Sequence, residues 1–332
     1  MIAWLLLGCQ RDRDVEVWRF AIEETRGSVQ DTFAQRFAGL VDERTDHRVR
    51  VEVYPYGTLG TSDQTTELLY MGSIQLAMAS PGHIGKLIPE VQAFLLHFVL
   101  SDDEEVNDLA LRDPELLALL DELYATRNFE LLSVFSEGWM VWTLDRPVRR
   151  PEDFAGLKMR VMTSPLLLAA YEAYGASPTP LPYSEVYGAL QLSMVDGQVN
   201  PVFAIQEMSF YEVTDVMVFA RQAPFVTTAI ANHDFYATLS PERRAMLDEV
   251  IGEVQTEVLE AQRTRNRDDL AIIARKRPDL ERITLTEEER AVFRERSMPV
   301  RDLYLAQAPR GREVLDALGR AVAKASGEGQ VP

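Results

Sequence analysis

The sequence predicts an α/β fold made of two α/β units with one long helix laid across both, and three observations predict it. Residues 15–79 read strand, helix, strand, helix, strand. A second alternation of strands and helices begins near residue 137. Residues 241–277 keep helical periodicity with no breaker other than Gly252. With 46% hydrophobic and 9% aromatic residues among 332, the chain can bury a substantial core, which excludes general disorder. Its length suits two domains or one large one.

Val15 to Ile22 alternates apolar and polar residues with period two, the pattern of a half-buried strand. Ser28 and Asp31 then form a helix-start pair, and Val29, Phe33, Phe37, Leu40 and Val41 recur at helical spacing. Val49 to Tyr54 is a second strand, stopped by Pro55 and Gly57. A helix follows Thr61-Ser62 to about Met71, and Ile74 to Ala79 is a third strand ended by Ser80-Pro81-Gly82. This order is a βαβαβ unit, which requires a parallel sheet covered by helices. Its strand ends, near residues 23–26, 56–62 and 80–83, are where such sheets present ligands. Residues 113–128 read as a helix and Leu131 to Phe135 as a strand.

In the second unit, Gly156 to Met162 is a strand and Ser164 to Tyr174 a helix. Thr179 to Pro182 is extended, and Tyr183 opens a helix that runs to about Leu192. Val199 to Phe203 and Thr227 to Ala231 read as returning strands. Ser240 and Pro241 then mark a strong helix start, a side-chain cap followed by a proline at the first helical position. At about 1.5 Å per residue the helix from there spans about 50 Å, wider than a small domain. It is expected to brace both units.

The chain carries 34 basic and 52 acidic residues, a formal charge of −18. That field repels nucleic acid and anionic membrane surfaces, leaving a small molecule or a protein as partner. Ile2 to Leu7 is an apolar run ending in Leu6-Leu7-Gly8-Cys9, which resembles the lipobox of bacterial lipoproteins. Residues 1–9 are therefore expected to be a signal segment, Cys9 the lipidation site, and that anchor the only contact with a membrane. The body is expected to be extracytoplasmic. Cys9 is also the only cysteine, which excludes a disulfide or a cysteine-rich metal site. His47, His83, His97 and His233 show no metal-ligand spacing, and no nucleophile elbow, phosphate loop or dinucleotide fingerprint is present. No metal and no cofactor is expected, and catalysis loses support.

The sharpest positive signal is Arg160. In Leu157 to Met162 the alternation sets Leu157, Met159 and Val161 on one face and Lys158, Arg160 and Met162 on the other. A guanidinium on a short strand at a sheet's carboxyl end is held rigidly and matches a carboxylate with two parallel hydrogen bonds. From spacing alone, an arginine paired with an acidic neighbour is the commoner arrangement.

Context changes that balance. Pro151-Glu-Asp-Phe-Ala-Gly-Leu-Lys-Met-Arg160, followed by Tyr187-Gly-Ala-Leu-Gln-Leu-Ser-Met-Val-Asp-Gly-Gln-Val-Asn-Pro201, strongly resembles the DctP-like solute-binding proteins of tripartite ATP-independent periplasmic (TRAP) transporters. Gly57 to Gly60, Glu67 to Ala77 and Ser80 to Pro89 look like that family too, so the resemblance covers the chain from Val15 to the long helix. It implies a two-lobed periplasmic-binding-protein architecture with hinge strands and a domain-spanning helix. The lobes are expected at 15–137 plus about 226–262 and at 138–225 plus about 263–325. It also implies a non-enzyme that captures a small organic carboxylate and hands it to TRAP membrane permease subunits. Arg160 carries the family's carboxylate-binding arginine, and Asn200 its cleft-facing asparagine.

After the family's Gly-aromatic pair, here Gly138-Trp139, many members carry a second Arg where this chain has Met140. Trp139 and Met140 replace a cation by apolar, polarisable surface, and Phe203 and Phe225 are expected to add to it. The expected ligand is a monocarboxylate with an apolar or aromatic body. Position at strand ends adds Glu23, Gln64 and Ser80 from the first lobe and Tyr183 from the second, whereas His83 is expected at the rim. A binding protein of an ATP-driven importer and an exported α/β hydrolase or lyase are the alternatives.

Overall fold

The computed structural model describes residues 15–327; Cys9 and the signal segment lie outside them. The first half opens with strand β1 (Glu16–Ala21), helix α1 (Val29–Arg44), β2 (Val49–Tyr54), α2 (Ser62–Tyr70) and β3 (Leu76–Ala79). β1 pairs in parallel with both β2 and β3, the arrangement that the βαβαβ spacing requires. Local chemistry sets the ends: Ser28 Oγ accepts from the backbone N of Asp31 at 3.0 Å, and Thr61 and Gln64 close a reciprocal capping box on α2. Three further helices, α3 (Pro81–Ile84), α4 (Glu104–Ala110) and α5 (Pro114–Ala125), lead to β4 (Phe129–Leu144).

β4 departs from expectation. Strand character was expected to end near Phe135, yet the strand runs 16 residues without interruption. Its first part pairs antiparallel with the strand that returns at residues 224–232, and residues 140–144 pair with a strand of the second half. The register shifts between Ser136 and Trp139, where Gly138 adopts φ +113°. A Cβ on Gly138 would lie 2.6 Å from Asn266 Nδ2, an atom that donates to Glu137 O at 2.9 Å. Glycine is needed here both for the left-handed backbone and for close approach to a helix.

The second half contains β5 (Lys158–Val161), α6 (Pro165–Ala173), β6 (Ser177–Pro180), α7 (Val186–Gln191), β7 (Gly197–Pro201), α8 (Val202–Glu207), β8 (Val216–Phe219), β9 (Pro224–Asn232) and α9 (His233–Thr238). The main sheet path runs β2-β1-β3-β9-β4-β7-β5-β6. β4 and β9 thus join the two halves, as hinge strands of a two-lobed protein do. The strand expected over residues 199–203 stops at Pro201, and helix α8 begins at once.

Helix α10 (Pro241–Lys276) has 36 residues, with Ser240 Oγ capping the N of Arg243. Leu247, Val250, Ile251, Val254 and Val258 form its buried stripe, and its outer face ties to α1 through Arg36 with Glu253 and Glu257 and through Arg44 with Glu249 and Glu253. The chain closes with β10 (Glu281–Thr284), α11 (Glu287–Gln307) and α12 (Gly311–Ala325). Trp18, Phe20, Phe33, Phe37 and Phe135 centre one core, and Trp142, Phe154, Tyr171, Tyr174 and Phe293 another. Among the described residues no helix is long and apolar enough to cross a membrane.

Candidate functional site

Between the halves lies a cavity of about 440 Å³, counting its open mouth. Glu23, Glu24, Ser80 and His83 line one wall, and Arg160, Met162, Tyr183, Asn200 and Phe225 the other. Arg160 lies on β5 between β6 and β7 and is 3% exposed. Its Nε and Nη2 donate to the carbonyl of Leu181 at 3.0 and 2.7 Å. No carboxylate among the described residues forms a salt bridge with it. Burial strips water from the guanidinium and lowers its pKa to about 10, with the nearby Tyr183 and Tyr56 opposing. It therefore stays cationic at neutral pH, and one edge of its fork is fixed while the other has no acceptor among the described residues.

The opposite wall is acidic. Past the end of β1 the chain leaves the strand, so Glu23 and Glu24 no longer alternate sides and both reach the cavity. Gln30, in the first turn of α1, holds this corner together. Its Oε1 accepts from Glu23 N at 2.8 Å, its backbone N donates to Glu24 Oε2 at 3.2 Å, and its Nε2 donates to Glu137 Oε1 at 3.0 Å. Glu23 Oε2 accepts from Ser80 N at 2.8 Å. Burial pushes the Glu23 carboxyl up, partly offset by His83 and Ser80. Glu24 is pushed well up by burial and by the charge of Glu137, and burial likewise raises Glu137. Among the described residues, Glu23 Oε1, Ser80 Oγ and the Tyr183 hydroxyl are buried with no hydrogen-bond partner. Unpaired buried polar atoms are costly, and these three sit in the wall of one cavity.

Of the ten binding residues expected, Arg160, Asn200, Glu23, Ser80, Tyr183 and Phe225 share this cavity, and Trp139, Met140, Phe203 and Gln64 do not line it. Trp139 turns away because the bulge and Gly138 reset the side-chain alternation of β4; it lines a groove beside α10 with Gln262 and Asn266. Phe203 is 0% exposed, rotated into the core by the start of α8. Gln64 folds back onto Thr61 N at 2.9 Å as a cap. Met140 lies one chamber away, in an apolar recess whose wall shares Phe225 and Met162 with the cavity. Glu24, Met162 and His83 are lining residues that sequence reasoning missed or placed at the rim. His83 Nδ1 lies 3.0 Å from Asp63 Oδ1, which fixes the ring. A second carboxylate at a strand end was the one available signal for Glu24.

Comparison with known proteins shows the family to which the chain belongs. Residues 20–307 match the family described as bacterial extracellular solute-binding protein, family 7. The ectoine-binding periplasmic protein TeaA of Halomonas elongata is 37% identical over 317 residues, covering 95% of this chain and 92% of that protein. The ectoine/5-hydroxyectoine-binding periplasmic protein UehA of Ruegeria pomeroyi is 36% identical over 306 residues, covering 91% and 89%. A high-resolution structure of the TeaA protein from the TeaABC TRAP transporter superposes with a TM-score of 0.90 at 35% identity, covering 93% of this chain and 100% of that one.

Proposed function

Because the chain belongs to the family 7 bacterial extracellular solute-binding proteins, we propose that its cleft captures a small zwitterion, the carboxylate held by Arg160 and a delocalised cation set against Glu24 and Glu23. The protein is a TRAP solute-binding protein and not an enzyme, and such proteins are periplasmic and work with membrane permease subunits. The observation that carries the ligand reading is the buried, cationic Arg160 with no acidic partner among the described residues. A ligand carboxylate supplies the missing anion through two charge-assisted hydrogen bonds. Across the cavity, acids with no salt bridge call for a cation, and Met162, Pro201, Ala204 and Phe225 offer apolar surface to the body between the two ends. Ectoine, a cyclic amidine carboxylate named for both relatives, has this charge layout.

Titration calorimetry tests the reading. Ectoine is expected to bind at least about 100-fold more tightly than succinate, a difference of about 2.7 kcal/mol, because a second carboxylate would face Glu23 and Glu24. Succinate or a simple aryl carboxylate binding as tightly as ectoine overturns it.

A further inference from the structure

Glu24 and Glu137 are both nearly inaccessible, at 5% and 0% exposure, and one residue gathers them: Gln30 donates from its backbone N to Glu24 Oε2 at 3.2 Å and from its Nε2 to Glu137 Oε1 at 3.0 Å. Neither forms a salt bridge with a described lysine or arginine. Gln30 satisfies one oxygen of each, and Glu137 Oε2 has no donor among the described residues. Two carboxylates buried beside one another on the same anchor repel as bare anions, and one proton held between them removes that repulsion. The other charged groups around them do not remove that need. Glu23 adds negative charge, and so does Glu207, which is drawn in through its contact with Thr25 N at 3.2 Å. Arg265 and Asp269 act on Glu207 with opposite sign. Across the cavity, Arg160 is committed to Leu181 O, the Tyr183 hydroxyl is neutral, and His83 is fixed by Asp63 and acts on Glu23.

We infer that Glu24 and Glu137 hold one proton in common and that the cationic end of the captured solute takes its place, so that binding expels a proton. The inference rests on the zwitterion reading and adds a role for Glu137, which does not line the cavity. The step balances simply: one carboxyl O–H breaks, its proton passes to the buffer, and a ligand N–H donates to the Glu24 carboxylate that is left. Net charge in the corner is unchanged, since the ligand's cation replaces the proton. Glu137 is then a positioning residue: it keeps Glu24 protonated and capped in the empty protein, and behind a bound cation the two become a doubly charged counter-anion. A neutral ligand end cannot compensate that charge.

The test is calorimetry of the whole protein with ectoine at near-neutral pH in phosphate, imidazole and Tris, whose ionisation enthalpies differ. Observed binding enthalpy is expected to vary linearly with buffer ionisation enthalpy, with a slope equivalent to about 0.5 to 1 proton released per ectoine bound. Proton release means that affinity rises with pH, up to about tenfold per unit between about pH 6 and 8. Glu137→Gln leaves Glu24 with an amide donor and no proton to share, so its slope is expected to fall close to zero while ectoine still binds. Ectoine binding to the wild type with zero slope overturns the proton exchange and leaves the zwitterion reading standing. The same nonzero slope in Glu137→Gln overturns the assignment to this pair. No binding of ectoine to the wild type overturns the zwitterion reading and this inference with it.

Discussion

Arg160 makes opposite demands on the empty and the loaded protein. In the empty cleft it is a buried cation with one carbonyl acceptor, Leu181 O, and a buried charge without a counter-charge is destabilising relative to an apolar side chain of similar volume. In the loaded cleft it would supply the strongest single contact. Arg160→Met is therefore expected to weaken ectoine binding at least about 100-fold, or about 2.7 kcal/mol. The melting temperature of the empty protein should stay the same or rise by a few degrees. Calorimetry and thermal unfolding of the same preparation check both. A large drop in the empty protein's melting temperature would mark Arg160 as a structural residue, the reading that spacing alone favoured. The three unpartnered polar atoms at Glu23, Ser80 and Tyr183 follow the same logic at smaller magnitude, each being a cost that a polar ligand removes.

Among the elements, β4 does most to position the site, because one strand carries Glu137 behind the cavity and then pairs into the second half of the sheet. The bulge at Gly138 makes this possible, and Gly138→Ala should show it. A Cβ there meets Asn266 at 2.6 Å in a left-handed backbone, so a loss of about 1–3 kcal/mol in denaturant unfolding is expected; a change below about 0.5 kcal/mol would contradict the close packing of β4 on α10. That same bulge explains what sequence could not reveal. β1, β2 and the long α10 were legible because alternation or an end cap states them locally, and Arg160 was legible because the alternation of β5 and the flanking family motifs agree on it. Trp139 is expected in the cleft from the resemblance of Gly138-Trp139 to the family's Gly-aromatic pair, which does not show the bulge that turns the ring away, and Phe203 because β7 is read past Pro201. Met162 shares the face of Arg160 by alternation and Glu24 sits at a strand end, but that these and His83 line one wall follows only when separate strand ends meet. Residues 281–325, which form β10, α11 and α12, received no assignment although Thr286 and Glu289 close a capping box at the start of α11; docking adds to that local signal, as the ring of Phe293 does against Trp142 and Tyr174.

For the molecule as a whole, function depends on two halves meeting over a ligand, and a ligand favours the closed arrangement only by the contacts it makes with both. Here the halves already touch across the cavity. Tyr56 stands edge-on to Tyr183 at 5.8 Å, Thr25 N donates to Glu207 Oε1, and a Cβ on Gly82 would lie 2.7 Å from the terminal methyl of Met162. Gly82 follows β3 and Met162 follows β5, so this contact exists only when the halves are together. Alanine at 82 needs only a rotation of the flexible Met162 end, but a leucine has to occupy the space where the two walls meet. Gly82→Leu is therefore expected to act as a wedge. It should cut ectoine affinity by about tenfold or more, corresponding to about 1.4 kcal/mol or more, while the empty protein's melting temperature moves by no more than a few degrees. Small-angle scattering supplies the second reading: at saturating ectoine the variant should keep a larger radius of gyration than the liganded wild type. Wild-type affinity together with wild-type compaction in Gly82→Leu would mean that approach of these two walls contributes nothing to capture.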